Sequence, residues 1–288
     1  MSADPDALNA LKQWIGRSES AIDYVTVPAV DRLSATLDRN DPFPKIGDPL
    51  PLGWHSTLFP RVVRHSQIGP DGHPARGDFL PPVPLPRRMF AGKRTTFLAP
   101  LHIGDEVQRT STIHNVTIKD GRSGRMVFVT VKTDIRNAHG IAITEEQDIV
   151  YRGEPDRSSS PSSAPPQPAP GTAVWQHRVT PDPVMLFRYS ALTFNGHRIH
   201  YDHPYVTGVE GYPNLVMNGG LTTLLVYELA RTHASTPIRC MSSRNVRALF
   251  VGRTITICGE PSTDNKTAKL WAQDDTGALA LSAEAEFA

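Results

Sequence analysis

Two stretches of the chain alternate apolar and polar residues with period two, and short Gly/Asp turns interrupt both. The first begins at PLHIGDEV (Pro100 to Val107) and continues through STIHNVTIK (Ser111 to Lys119). A turn at Asp120 to Gly124 leads to MVFVTVKTDI (Met126 to Ile135), and another at Asn137 to Gly140 leads to IAITEEQDIVYR (Ile141 to Arg152). The second runs through LFVGRTITICGE (Leu249 to Glu260) and TAKLWAQDD (Thr267 to Asp275). It ends, after Thr276-Gly277, in ALALSAEAEF (Ala278 to Phe287). Strands joined in sequence by tight turns predict an antiparallel meander in each half.

Helical spacing is rarer. It occurs over Asp4 to Gly16, over Ala29 to Leu37 and most clearly in GLTTLLVYELART (Gly220 to Thr232). In the last, Leu221, Leu224, Leu225, Tyr227 and Leu229 spread over a broad face, as in a helix largely enclosed by sheet. A buried helix entered through glycines and followed by a β meander is the sequence form of a hotdog. The expected fold class is therefore α+β, a double hotdog of two curved antiparallel sheets, each wrapped around a central helix.

Between the halves lies EPDRSSSPSSAPPQPAPG (Glu154 to Gly171), almost all Pro, Ser and Ala, which predicts an extended, poorly ordered linker. The expected division is an N-terminal unit over 1–153, a linker over 154–171 and a C-terminal unit over 172–288, which is to carry the chemistry.

Composition narrows the function classes. Among 288 residues, 30 basic side chains oppose 29 acidic ones, so no broad field draws in nucleic acid or an anionic membrane. Any anionic partner must meet a local cluster. The two cysteines, Cys240 and Cys258, fit no metal spacing and no disulfide framework. No signal peptide or membrane span is legible, and a cytoplasmic location is expected.

The densest chemistry is FNGHRIHYD (Phe194 to Asp202), which holds two histidines, an amide and a carboxylate. It is followed by GYPNLVMNGGLTTLL (Gly211 to Leu225), whose paired glycines open the buried helix. A helix start offers unpaired N–H groups and partial positive charge. At Gly219 and Gly220 a ligand oxygen can approach those amides closely. A thioester carbonyl placed there would be polarised while a nearby histidine moves a proton. The plainer alternative is that these polar residues cap the helix and bond the backbone. A metal held by His197, His200 and Asp202 is a further alternative, but the spacing matches no strong zinc pattern.

The stretch Tyr189 to Tyr205 resembles the type-2 enoyl-CoA hydratase motif of MaoC-like proteins, whose core runs Asp-x-Asn-Pro-x-His. WHSTLFP (Trp54 to Pro60), DGHPARGDFLPPVPLPRRMFAGKR (Asp71 to Arg94), GRSGRMVFVTV (Gly121 to Val131) and EEQDIVYR (Glu145 to Arg152) resemble the branch holding mesaconyl-C4-CoA and itaconyl-CoA hydratases. Mitochondrial 3-hydroxyacyl-thioester dehydratases share that pattern. The resemblance implies reversible hydration of an acyl-CoA thioester, with a non-catalytic N-terminal copy. It places the catalytic histidine at His200 and the oxyanion donor at Gly219 or Gly220. The catalytic aspartate falls on Asn195, the motif's asparagine on His197 and its proline on Arg198.

Asn195 cannot serve as a base, so it is expected to orient water or substrate. Asp202, or else Glu146 or Asp148, is the expected carboxylate partner of His200. Arg87, Arg88 and Arg94, with His197, are the expected contacts for CoA phosphates or an acyl carboxylate, against the reading of Arg87 to Arg94 as a solvated loop. No metal or cofactor is implied beyond the CoA of the substrate, and homo-oligomers through sheet edges are compatible with the fold. The rival readings are a hotdog thioesterase and a non-catalytic acyl-CoA-binding protein.

Overall fold

The computed structural model describes residues 5–74, 79–85, 87–121, 124–153 and 166–288. Among the described residues, ten strands form one antiparallel sheet. Five precede the linker: β1 (Ser18–Tyr24), β2 (Arg87–Phe97), β3 (Glu106–Gly121), β4 (Gly124–Asn137) and β5 (Gly140–Arg152). Five follow it: β6 (Trp175–Val179), β7 (Ile238–Asn245), β8 (Ile255–Pro261), β9 (Thr267–Gln273) and β10 (Leu279–Phe287). Their spatial order is β1-β3-β4-β5-β2-β7-β10-β9-β8-β6, so each half keeps its own meander. The halves join where β2 pairs with β7, from Lys93 opposite Ser243 to Thr96 opposite Cys240.

The meander predicted from period-two alternation is present in both halves. The arginine-rich segment at Arg87 is a strand rather than a loop: its carbonyls and amides are paired with β5 along most of its length. Three further strands, β1, β6 and β7, are too polar to register as alternating patterns. Residues 154–165 of the expected linker lie outside the described residues. Beyond them the chain is held: Leu279 donates to the Gln167 carbonyl at 2.9 Å and Ala169 to that of Gly277 at 3.0 Å.

Local chemistry sets the helix starts. In α2 (Val27–Thr36) Thr26 accepts from Ala29 N, in α3 (Pro183–Leu192) Asp182 accepts from Met185 N, and in α4 (His203–Gly208) Asp202 accepts from Tyr205 N. Each has proline in its first turn, where the missing N–H costs nothing. The expected first helix is split into α1 (Pro5–Ala10) and a 3-10 turn at Leu11–Trp14. The longest helix, α5 (Gly219–His233), is the exception among these starts, because the side chain of its N-cap, Asn218, caps nothing.

The C-terminal sheet wraps α5, which touches all five of its strands. Leu221, Leu224, Leu225, Val226 and Leu229 are buried there against Ile255, Ile257, Leu270 and Leu281. In the N-terminal half the matching concave face holds open space. A cavity of about 1180 Å³ is lined there by Arg109, Thr133, Glu145, Gln147 and Tyr151, while α2 packs on α3 instead. One core nevertheless runs through both halves. Trp54 and Leu33 belong to the same apolar cluster as Leu224 and Leu270.

A polar junction fixes this arrangement. Glu228 of α5 is 9% exposed and accepts from Trp54 Nε1 at 2.7 Å and Arg231 at 2.8 Å, and also from Arg39. Two of those donors come from the opposite half. No described helix is long and apolar enough to cross a membrane.

Candidate active site

The His200 segment and the start of α5 are laid side by side by backbone bonds. Val216 N donates to the Ile199 carbonyl at 3.0 Å, and Met217 N to that of Leu249 at 2.8 Å. His200 is 6% exposed, and its Nδ1 lies 2.7 Å from the Val216 carbonyl. A carbonyl only accepts, so Nδ1 carries the proton and Nε2 keeps its lone pair. Burial pushes the His200 pKa down to about 4, against a smaller raising effect of the Val216 carbonyl. The ring is therefore neutral near pH 7, which is the form of a general base.

Two residues beyond Met217, α5 begins. Residues 215–218 are buried, yet Gly219 and Gly220 are exposed. With no side-chain cap, the first-turn amides are open to an incoming oxygen. The Asn218 side chain turns away, donating to Ser190 Oγ at 3.3 Å, and its Oδ1 is buried without a partner. Space is tight at both glycines. A Cβ at Gly220 would lie 2.7 Å from the Tyr189 hydroxyl, and one at Gly219 would lie 3.1 Å from Asn245 Nδ2. Tyr189 is buried, and this raises its pKa strongly, so the hydroxyl stays a neutral donor. Ser56, which lines the N-terminal cavity, lies beside that hydroxyl. Neither His200 nor the two glycines line the cavity; Ser56, at the Tyr189 hydroxyl, is the lining residue that approaches the glycines through that tyrosine.

The other residues singled out from sequence separate into groups. Asn195 Oδ1 accepts from His197 N at 3.0 Å, which fixes the turn, while its Nδ2 makes no hydrogen bond among the described residues. His197 meets the His200 ring edge-on, with centroids 5.4 Å apart. Burial first, then the neighbouring His73 and His200, push its pKa down to about 3.

Asp202 does not stand as the carboxylate partner of His200. One oxygen caps α4 at Tyr205 N (3.0 Å), and the other accepts from Arg198 at 2.7 and 2.9 Å. Glu146 and Asp148 are also occupied, by Arg94 at 3.1 and 2.7 Å. The metal set of His197, His200 and Asp202 is likewise not assembled, since Asp202 is committed elsewhere.

The arginine group divides by face. Arg88 and Lys93 line the cavity. Arg94 faces the other side of the sheet, and for Arg87 only the backbone lies within the described residues. A β-bulge between Phe90 and Gly92 explains this, because one extra residue lets positions five apart share a face. In the cavity wall, Glu145 accepts from Lys93 at 2.9 Å, Thr95 at 3.0 Å and His55 at 3.1 Å. Burial alone would raise the Glu145 pKa, but Lys93 and His55 hold it well below the carboxylate range.

One feature at the site had no assigned role in the sequence reading. The loop carrying Asp71, Gly72 and His73 comes from the N-terminal half and lies on the His200 segment. The His73 ring packs against His197 with centroids 3.9 Å apart and the planes tilted by 35°. Donor atoms of Asp71, His73 and His197 all lie within 4.8 Å of one another, close enough to share a cation. The two rings are tilted by 35° in close contact, however, and Asp71 already accepts from His73 N and Nδ1, so the cluster fits a packed hydrogen-bonded group better than an ion.

Comparison with known proteins gives a consistent result. The family model described as hydroxyacyl-thioester dehydratase type 2 matches residues 53–251. Mesaconyl-C(4)-CoA hydratase of Chloroflexus aurantiacus is 45% identical over 276 residues, covering 95% of this chain and 96% of that protein. A MaoC-like dehydratase from Phytophthora capsici superposes with a TM-score of 0.72 at 13% identity, covering 96% and 97% of the two chains. A Mycobacterium tuberculosis protein described as a double hotdog superposes with a TM-score of 0.52 at 11% identity, covering 97% of each chain.

Proposed function

The chain belongs to the hydroxyacyl-thioester dehydratase type 2 family, a double-hotdog enzyme of the hydro-lyase kind, and from that premise we propose how it adds water to an acyl-CoA thioester and for which acyl group. The C-terminal half carries the reaction. The thioester oxygen docks on the open amides at Gly219 and Gly220, where negative charge is stabilised as the enolate forms. His200 Nε2 takes a proton from water as the water oxygen bonds to the β-carbon. The π electrons move onto the thioester oxygen, and the α-carbon is then protonated. Dehydration is the reverse. The observation that carries this reading is the 2.7 Å bond from His200 Nδ1 to Val216, which frees Nε2 beside an uncapped helix start.

The acyl group extends past Tyr189 and Ser56 into the N-terminal cavity. Among the described residues, Arg17, Arg61, Arg88, Lys93 and Arg109 line that space with two carboxylates, Glu19 and Glu145. Glu145 is bound by Lys93 and Glu19 lies 3.8 Å from Arg109, so the lining keeps a net positive charge. This supports an acyl chain ending in a free carboxylate, as in the mesaconyl group that the Chloroflexus relative is named for.

Loss of enoyl-thioester absorbance, followed with mesaconyl-C4-CoA and with its neutral methyl ester, tests both parts. Hydration of the acid with little turnover of the ester is expected. Equal turnover of the two would overturn the carboxylate assignment. Release of free CoA thiol in place of hydration would overturn the hydro-lyase mechanism.

A further inference from the structure

Water addition needs two proton-transfer groups, one to deprotonate the water and one to protonate the α-carbon. His200 has a single free nitrogen, and Asn195 has no titratable proton. Asp202, Glu146 and Asp148 are committed to Arg198, to a helix cap and to Arg94. The geometry points to His73, oriented by Asp71, as the second proton-transfer group, delivered to the C-terminal site by the N-terminal half.

The loop is built to be there. Gly72 lies at φ +87°, and a Cβ on it would come within 1.9 Å of the Gly196 carbonyl oxygen, so only glycine allows the two backbones to touch. Arg198 N donates to the Asp71 carbonyl at 2.9 Å, and Arg198 Nη1 to that of Pro70 at 2.9 Å. Within the loop, Asp71 accepts from His73 N at 3.0 Å and from His73 Nδ1 at 3.1 Å. An ionised carboxylate only accepts, so Nδ1 holds a proton and Nε2 is left to give up or take the second. The His197 ring touches both histidines, tilted against His73 and edge-on to His200.

The balance for hydration is complete. The water oxygen bonds to the β-carbon, its proton goes to His200 Nε2, and the α-carbon takes a proton from His73 Nε2. Proton return from His200 to His73 then resets the site. Asp71 is a positioning residue, since it acts through His73.

This inference rests on the assignment of His200 as base, and the test separates the two. In hydration of mesaconyl-C4-CoA, His73→Gln should lower kcat by ~10²-fold and Asp71→Asn by about tenfold, with KM within about twofold. Adding Asn195→Asp to His73→Gln should recover at least about tenfold, because a carboxylate beside Gly196 supplies an acid–base group again. A residue that merely packed the loop would not be rescued in this way. Unchanged kcat in His73→Gln, or no recovery in the double variant, would overturn the assignment. If His200→Ala is inactive while His73→Gln is normal, only this pair fails. If His200→Ala is active, the mechanism beneath it fails.

Discussion

His200 donates its Nδ1 proton to the Val216 carbonyl at 2.7 Å, and Val216 stands three residues before the first residue of α5. One bond therefore fixes the tautomer of the proposed base and its place beside the open helix start. His200→Ala should lose ~10²–10⁴-fold in hydration rate, as expected for removal of a positioned general base. Thermal melting and CoA-ester binding that match the parent protein would show that the loss is chemical.

Burial and pH set a second expectation. A base with its pKa pushed down from 6.5 to about 4 stays active well below neutrality, so the acid limb of kcat/KM should fall near pH 4. Stability follows a different window. In the unfolded chain His200 and His197 protonate near 6.5, whereas the folded forms resist until about 4 and about 3. The unfolded state then binds more protons, so stability is lost as pH falls from 6.5 toward 3. Calorimetry across that range, on the parent and on His200→Gln, should show a weaker acid dependence in the variant.

At the helix start, steric room is the test. Gly220→Ala places a methyl group 2.7 Å from the Tyr189 hydroxyl and should displace the oxyanion amides, costing ~10²-fold in kcat. Tyr189→Phe added to it should restore part of the rate, because the clash is with the hydroxyl alone. No restoration would mean that the tyrosine hydroxyl itself is needed.

Charge in the cavity should read out as substrate affinity. Arg88→Ala should raise KM for mesaconyl-C4-CoA by an amount equivalent to about 1–3 kcal/mol, the range for a charge-assisted hydrogen bond. Arg94→Ala should leave KM within about twofold, since exposed pairs such as those with Glu146 and Asp148 contribute little. Steady-state kinetics of the two variants side by side would decide, and a larger effect at Arg94 would place the anion on the other face of the sheet.

Glu228 should matter to folding more than to chemistry. Glu228→Ala leaves the buried Trp54 N–H without its acceptor, while Arg39 keeps Asp41, a loss on the order of 1–3 kcal/mol. Urea unfolding measures it. An unchanged midpoint would show that the junction between the halves is held by apolar contact alone.

The sequence by itself determined the elements whose cause is local. Alternation in Met126 to Ile135 and Ala278 to Phe287 specified the strands, because period two puts every second side chain on one face. Leucine spacing specified α5, and the Asn195 to Asp202 motif singled out His200, the proposed base, because the chemistry there is contiguous. What tertiary structure decided was everything that depends on parity or on long-range approach. A single bulge at Phe90 to Gly92 turned Lys93 onto the face of Arg88 and left Arg94 on the other, which no local pattern announces. Asp202 looked equally fit to cap or to catalyse until Arg198 was seen to hold it. Asp71 and His73 lie more than a hundred residues from His200 in the chain. Only the docking of Gly72 on Gly196 brings them to it, because contact between distant segments is set by the packing of the whole sheet.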